Sequence, residues 1–397
     1  MRSTLTLSDT APIAALIAAL AVPLAPAQAQ QGQGPAQAGT AQTVKTVRTS
    51  AGPVAVSRVA DGLERPWGID FLPDGRALVT EKPGRLRIMA RDGSLSSPLA
   101  GTPKVFNQGQ GGLMDVAVDP DFARNRVIYL AYAEPGDGSG GGSTAGTALG
   151  RATLGDRGIE EFKVIFRQTP KVDGGNHFGT RIAFAPDGHI FLTLGERYKF
   201  DPAQSRDNTL GKVVRLNRDG SAPKDNPFAG EGGTAGAVWS YGHRNIEAAA
   251  IDPRSGALWI AEMGPMGGDE LNRPEAGRNY GWPLVSWGKH YDGRDIPDPP
   301  TRKEFTDAVI HWTPVISPSG MAFYTGGLFR DWQGSALIGG LSAKGLVRVA
   351  IDGTGAREVE RIPLDARIRD VAQGPDDALY VITDAADGAV LRLAPAK

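Results

Sequence analysis

The sequence predicts an all-β chain, folded as a six-bladed β-propeller of four-stranded antiparallel blades. Three observations carry that prediction. A turn-and-strand unit recurs along the chain. The runs after each turn are short and rich in β-branched and aromatic residues, and no window sustains a long helical period.

The elements follow in chain order. Arg2 and the short apolar run "PIAALIAALAVPLAPA" precede the small residues "AQA" at 27–29, the pattern of an export signal cleaved after Ala29. The run is shorter than the roughly 20 residues that span a bilayer and contains prolines, so a cleaved signal is expected in preference to an anchor. Residues 30–52 are rich in Gln, Gly and Ala and poor in large apolar groups, which predicts a disordered tether. Residues 53–397 form the propeller domain, in a protein expected to be periplasmic or secreted. The absence of cysteine means that no disulfide staples the fold, and a net charge of −1 gives no reason to expect nucleic acid or an anionic membrane as partner. No later stretch is apolar enough to span a membrane.

The repeat starts at Phe71 with "FLPDGRALVTE" and returns as "VDPDFARNRVIYLAYA" at Val118, "FAPDGHIFLTLGER" at Phe184 and "IDPRSGALWIAEMG" at Ile251. A weaker copy, "FRDWQGSALIGG", begins at Phe329, and "GPDDALYVITD" closes the series at Gly374. Where a unit carries Pro it presets φ at the turn, and where it carries Gly that residue accepts positive φ, so the chain reverses into a strand. A large β-sandwich would not need such a repeat, whereas radial blades do. Loops distant in sequence then converge at one mouth of the central channel.

Five polar clusters fall in those loops. Gln110 lies among glycines in "NQGQGGLMDV". His177, in "DGGNHFGTRIAF", is one of only five histidines and sits in a glycine setting, with Glu196 at the end of the next strand. A carboxylate there can accept the imidazole N–H and raise its basicity, as a structural or a catalytic pair. The glycines beside His177 would let ligands approach closely. Arg244 and Asn245 are adjacent donors in "YGHRN". "AEMGPMGGDELNRPEAGRNYGWP" combines the carbonyls of Gly264 and Pro265 with the carboxylates Asp269 and Glu270, donors that suit a hard cation such as Ca²⁺. Arg367 and Arg369 are two apart, so in an extended segment both guanidinium groups share a side and match carboxylates or phosphates. An anionic ligand at the mouth is the common implication.

Taken together and in this order, "GQGGLMDVAVDPDF", "GNHFGTRIAFAPDG", "YGHRN", "GGDELN…NYGWP", "SPSGMAFYTG" and "RIRDV" make the chain resemble the soluble pyrroloquinoline quinone-dependent sugar dehydrogenases, the glucose/sorbosone dehydrogenase family. It looks most like the periplasmic aldose sugar dehydrogenase branch. The resemblance implies a six-bladed propeller carrying pyrroloquinoline quinone and calcium. It makes His177 the general base, Glu196 its support and Gln110 a contact of cofactor and substrate. Arg244 and Asn245 become quinone ligands, with Arg244 near the reactive carbonyl. Arg367 and Arg369 become partners of the cofactor carboxylates. Gly264 and Pro265, or Glu270 and Tyr280 in the aldose branch, are implied calcium ligands, and Trp312 an aromatic lining the sugar site. Where the family often has a lysine, this chain has Ser342; Lys344, two residues on, would share its side if the segment were a strand. His290 replaces an acidic ligand of the glucose dehydrogenase branch.

The expected activity is oxidation of the anomeric C1 hydroxyl of aldoses to lactones, with electrons passed to an external quinone, cytochrome or dye. An oriented imidazole takes the hydroxyl proton, and the hydride acceptor must be a cofactor because no protein side chain is electrophilic enough. A calcium-dependent propeller lactonase or other hydrolase would share the strands and metal but not need the arginines. A non-catalytic propeller binding glycans or a protein would need none of these groups together.

Overall fold

The computed structural model describes residues 42–137 and 143–396. The signal segment and the first part of the expected tether lie outside the described residues.

Six antiparallel sheets stand around a central axis. Their inner strands are Pro66–Phe71, Leu113–Val118, Gly179–Phe184, Ile246–Ile251, Pro318–Phe323 and Ile368–Gln373, of blades I to VI respectively. Each inner strand packs against the next, and that of blade VI against that of blade I, so the ring is closed. The six-bladed prediction therefore holds. Strand number is less uniform than expected: blades III, IV and V have four, blade I has three, and blades II and VI have five. After Met89 the blade I chain runs into "SPLAGTPKVF", whose prolines cannot donate to a ladder, and no fourth strand forms.

The second strand of each blade is buried on both faces, which is why it reads as a continuous apolar run. In Ala77–Glu81, Leu78 packs toward blade II with Val116 and Leu130, while Ala77 and Val79 pack toward blade VI with Ile382 and Val390. The core is thus a set of apolar layers between blades, each fully buried Leu or Val contributing about 1.5–3 kcal/mol.

Blade VI corrects one expectation. Its inner three strands come from the C-terminal end of the chain, its outer two from Gly52–Leu63 and Gln42–Thr49. Residues 42–52 are therefore a strand and its turn, not tether. Their β-branched alternation, "TVKTVRT", supplies Val47 to a core shared with Val54 and Leu393. The register Val54↔Pro395 joins the two ends of the chain and closes the ring.

Antiparallel pairing sets the start of each inner strand beside the end of its second strand, as in Pro66↔Glu81, Gly179↔Leu194, Ile246↔Glu262 and Ile368↔Thr383. Loops entering inner strands and loops leaving second strands therefore share one face. The Pro-Asp-Gly turns that reveal the repeat lie on the other.

Candidate active site

The shared face carries the polar loops, and a cavity of about 480 Å³ opens there. That volume lies within the range of small-molecule sites. Four cationic side chains line it, Arg65, Lys82, Arg367 and Arg369, against two carboxylates, Glu247 and Asp384. Trp67, Gln110 and Leu341 also line it. Burial, then repulsion from Arg369, holds the Lys82 ammonium below its ordinary pKa. Burial opposes the Asp384 charge, but Arg369 and Arg367 outweigh it and keep that carboxyl below the usual range.

The two arginines of "RIRD" do reach one side. Arg367 Nε donates to Asp384 Oδ2 at 2.8 Å and Arg369 Nη2 to Asp384 Oδ1 at 3.1 Å. Arg369 Nη1 also donates to Glu247 Oε2 at 2.6 Å. From Glu247 the chain of contacts continues to Asn245 Nδ2 at 2.9 Å, and Asn245 Oδ1 accepts the Gly179 N–H at 3.1 Å. Three blades are thereby tied, from the His177 loop to Arg369. Asn245 is fully buried and engaged at both ends, so it ties the two loops together.

His177 precedes the inner strand of blade III with φ 54, in the left-handed region. Its N–H donates to Gln110 Oε1 at 2.6 Å, and its Nδ1 meets Glu196 Oε1 at 2.6 Å. The second Glu196 oxygen accepts the N–H groups of Lys199 and Phe200. Burial pushes the His177 imidazole below its ordinary pKa; the Glu196 hydrogen bond raises it in part, and Arg244 lowers it further. The downward shift favours the neutral imidazole, and the tautomer with its proton on Nδ1, facing the carboxylate, leaves Nε2 as the acceptor. Two glycines packed near it are required by close backbone approach. A Cβ on Gly195 would stand 2.1 Å from the His177 carbonyl, and one on Gly109, where φ is 57, would stand 2.5 Å from the Gly175 carbonyl.

Arg244 is buried, its Nη1 donating to the carbonyls of Met263 and Gly264 at 2.9 Å each. Its Nε is buried and has no partner among the described residues. The Gly264 carbonyl is thus already in use. Beside it, a cavity of about 10 Å³ is lined by Glu262, Gly264, Glu270 and Tyr280 among others. It is the size that admits one water or one bare ion. Burial, then repulsion from Glu262, pushes the Glu270 carboxyl well above its usual pKa. Asn272 Nδ2 donates to both carboxylates at 3.2 Å, while its Oδ1 is buried without a partner among the described residues. Two carboxylates, one opposing the charge of the other, beside an ion-sized space fit a hard cation. Among the described residues no three His, Cys, Asp or Glu side chains form a metal-ligand group, so the remaining donors would be amide or backbone oxygens. The Tyr280 phenol is committed to the Arg273 carbonyl and the Glu275 N–H. Pro265 is buried and lines neither cavity.

Three expected residues fall elsewhere. Trp312 ends the outermost strand of blade IV, paired with Asp269, and lies buried in the layer between blades IV and V. Its indole N–H donates to Glu358 at 2.6 Å, so it does not line the mouth. Ser342 and Lys344 occupy a turn, where side chains two apart do not share a side; Lys344 has φ 52. Ser342 Oγ donates to the Val315 carbonyl, and neither residue lines the large cavity. Conversely, Lys82, Glu247, Asp384 and Trp67 were not singled out in the sequence. Lys82 and Asp384 follow second strands, as Glu196 does, and aligning the six units at that point marks them.

The chain matches the family model described as "Glucose / Sorbosone dehydrogenase" over residues 63–392. It is 43% identical over 351 residues to aldose sugar dehydrogenase YliI of Escherichia coli strain K12, covering 86% of this chain and 93% of that one. The crystal structure of the soluble aldose sugar dehydrogenase from E. coli, in its apo form, aligns with TM-score 0.81 at 43% identity, covering 86% of this chain and 100% of that chain. The PQQ-bound aldose sugar dehydrogenase from Streptomyces coelicolor aligns with TM-score 0.69 at 28% identity, covering 86% and 98%.

Proposed function

The chain belongs to the glucose and sorbosone dehydrogenase family, and we propose that it oxidises the anomeric C1 hydroxyl of aldose sugars to lactones. Pyrroloquinoline quinone is the hydride acceptor in this reading, with a calcium ion beside it and an external carrier to take the electrons. The observation that carries it is the His177–Glu196 pair, at 2.6 Å, on the same face as a cavity ringed by four cations.

His177 Nε2 takes the proton of the anomeric hydroxyl. Glu196 holds Nδ1–H in place and stabilises the imidazolium that forms. Gln110, whose carbonyl fixes the His177 backbone, keeps its amide N–H groups for ligand. Arg367, Arg369 and Lys82 suit the carboxylates of a planar triacid, and the cavity has room for one. The bound quinone would supply an electrophilic centre that accepts two electrons. Arg244, buried and with an unused Nε donor, favours negative charge developing next to it. Glu270 and Glu262 are the groups that would hold calcium, with main-chain oxygens around the small cavity, such as that of Tyr280, as further donors. Export to the periplasm or medium is part of the same proposal, resting on residues 1–29. Among the described residues no helix is long and apolar enough to cross a membrane.

The test is dye reduction by aldoses after mixing purified apoprotein with calcium and the quinone. Turnover that requires both supports the reading. Turnover without quinone, or none with it, rejects it.

A further inference from the structure

A row of aromatic rings joins the proposed base to the proposed charge-stabilising arginine. Tyr198 stands edge-on to the His177 imidazole, with centroids 5.2 Å apart. Phe200 follows at 5.1 Å from Tyr198, and Trp282 at 5.7 Å from Phe200. The Arg244 guanidinium lies 5.2 Å from the Trp282 ring and 5.9 Å from that of Tyr291, and its Nη2 donates to the Tyr291 hydroxyl at 3.3 Å. The middle of the row is sheltered. Its two ends are open, Tyr198 at 42% and Tyr291 at 62% exposure.

Large exposed rings lose contact with apolar surroundings, and here the backbone is bent to expose one. Arg197, Tyr198 and Phe200 have φ of 62, 59 and 62, three positive values within a four-residue run, which non-glycine residues rarely adopt. The run is held because the Glu196 carboxylate accepts the N–H groups of Lys199 and Phe200. One carboxylate therefore orients the imidazole and fixes the ring next to it. Strain held in place next to reactive groups points to a function for the strained residue.

We propose that Tyr198 and Tyr291 are the sugar-binding wall of this site, an inference that rests on the dehydrogenase reading above. Aldopyranoses have faces of axial C–H bonds whose hydrogens are weakly positive, and these suit the negative faces of aromatic rings. A tyrosine has two side-chain torsions, so holding it against a ligand loses little entropy. A pyranose resting on these rings presents C1 toward His177, beside Tyr198, and Arg244, beside Tyr291. This wall takes the part expected of Trp312, whose ring is buried between blades.

The experiment compares wild type with Tyr198→Ala, Tyr291→Ala and the matching Phe variants, all loaded with calcium and quinone. Steady-state glucose oxidation is measured, together with calorimetric binding of 1,5-anhydroglucitol, which lacks the anomeric hydroxyl and cannot react there. The expected result is that each Ala variant raises KM about tenfold and weakens anhydroglucitol binding by a similar factor, while kcat falls much less. Tyr198→Phe recovers most of the loss because it restores the ring. Unchanged KM and unchanged anhydroglucitol binding in both Ala variants overturn the wall and leave the dehydrogenase reading standing. A wild type that oxidises no aldose when loaded overturns both.

Discussion

Replacing Glu196 with Gln tests the proposed dyad with little change of shape. In the native site one Glu196 oxygen meets His177 Nδ1 at 2.6 Å, and the other accepts the N–H groups of Lys199 and Phe200. A carboxylate accepts on both sides, but an amide has one acceptor and one donor end. Two backbone donors claim the Gln oxygen, which turns its NH₂ toward Nδ1. The imidazole must then accept at Nδ1 and carry its proton on Nε2, the tautomer that cannot take a proton from substrate. The variant also loses a charge-assisted hydrogen bond, worth about 1.5–3 kcal/mol. At about 1.4 kcal/mol per factor of ten, kcat should fall roughly 10- to 150-fold. KM should move little, because Glu196 is behind the imidazole. The assay is stopped-flow reduction with glucose and C1-deuterated glucose, with thermal unfolding as a check on folding. A kcat within threefold of wild type, at unchanged isotope effect, would refute the assignment of His177 as a base oriented by Glu196.

Arg369→Met should weaken quinone binding by at least about 30-fold in an absorbance titration, from roughly 2 kcal/mol or more for truncating a buried charge pair; equal affinity would remove Arg369 from the cofactor site. Glu270→Gln should raise the unfolding temperature of the calcium-free protein at pH 7 by about 2 °C, since it removes a carboxyl whose ionisation burial and Glu262 oppose. The same variant should lose the further rise that calcium gives wild type, and a retained calcium effect counts against the site. Lys212 is fully buried with Nζ donating to the carbonyls of Pro202, Ala203 and Leu210, and burial lowers its pKa to about 7. The unfolded chain keeps that proton up to about pH 10, so stability from this group rises between pH 7 and pH 10. Urea midpoints should show the rise in wild type and not in Lys212→Met, which is also less stable at pH 7 by at least about 2 kcal/mol; identical pH slopes would discount it.

The repeat was legible because its signal is local. A proline, an acid and a glycine specify the clearest turns, at 73–75 and 186–188, within three residues, and the strand that follows is buried on both faces. The closing strands were not legible. "TVKTVRT" borders a Gln-, Gly- and Ala-rich segment, and its partner strand finds its own partner at the opposite end of the chain. At the site, His177, Glu196 and the arginine pair could be read because each stands at the edge of a recognisable strand. Trp312 misled because sequence does not tell how far from the axis a strand end lies. Lys344 misled because strand spacing was applied to a turn.

The least legible residue is the one that touches most of the ring. Arg181, on the inner strand of blade III, donates to Asp115 at 3.0 Å and lies 3.1 Å from the Asp370 carboxylate. It also donates to the carbonyls of Glu247, Ser319 and Arg369, and its guanidinium lies 4.0 Å from the Trp67 ring. Contacts thus reach blades I, II, IV, V and VI from one side chain. Burial raises the Asp115 carboxyl to about pH 7 despite Arg181, so the cluster is a poor source of stability, and apolar side chains of equal volume would fill the channel as well. What apolar groups would not do is choose between arrangements. A guanidinium has five donors in a fixed plane, and these carbonyls accept them only when each inner strand stands at its present height around the axis. Since Arg369 and Trp67 line the cavity above and are touched by Arg181 below, fixing those heights fixes the floor on which the proposed planar cofactor would rest.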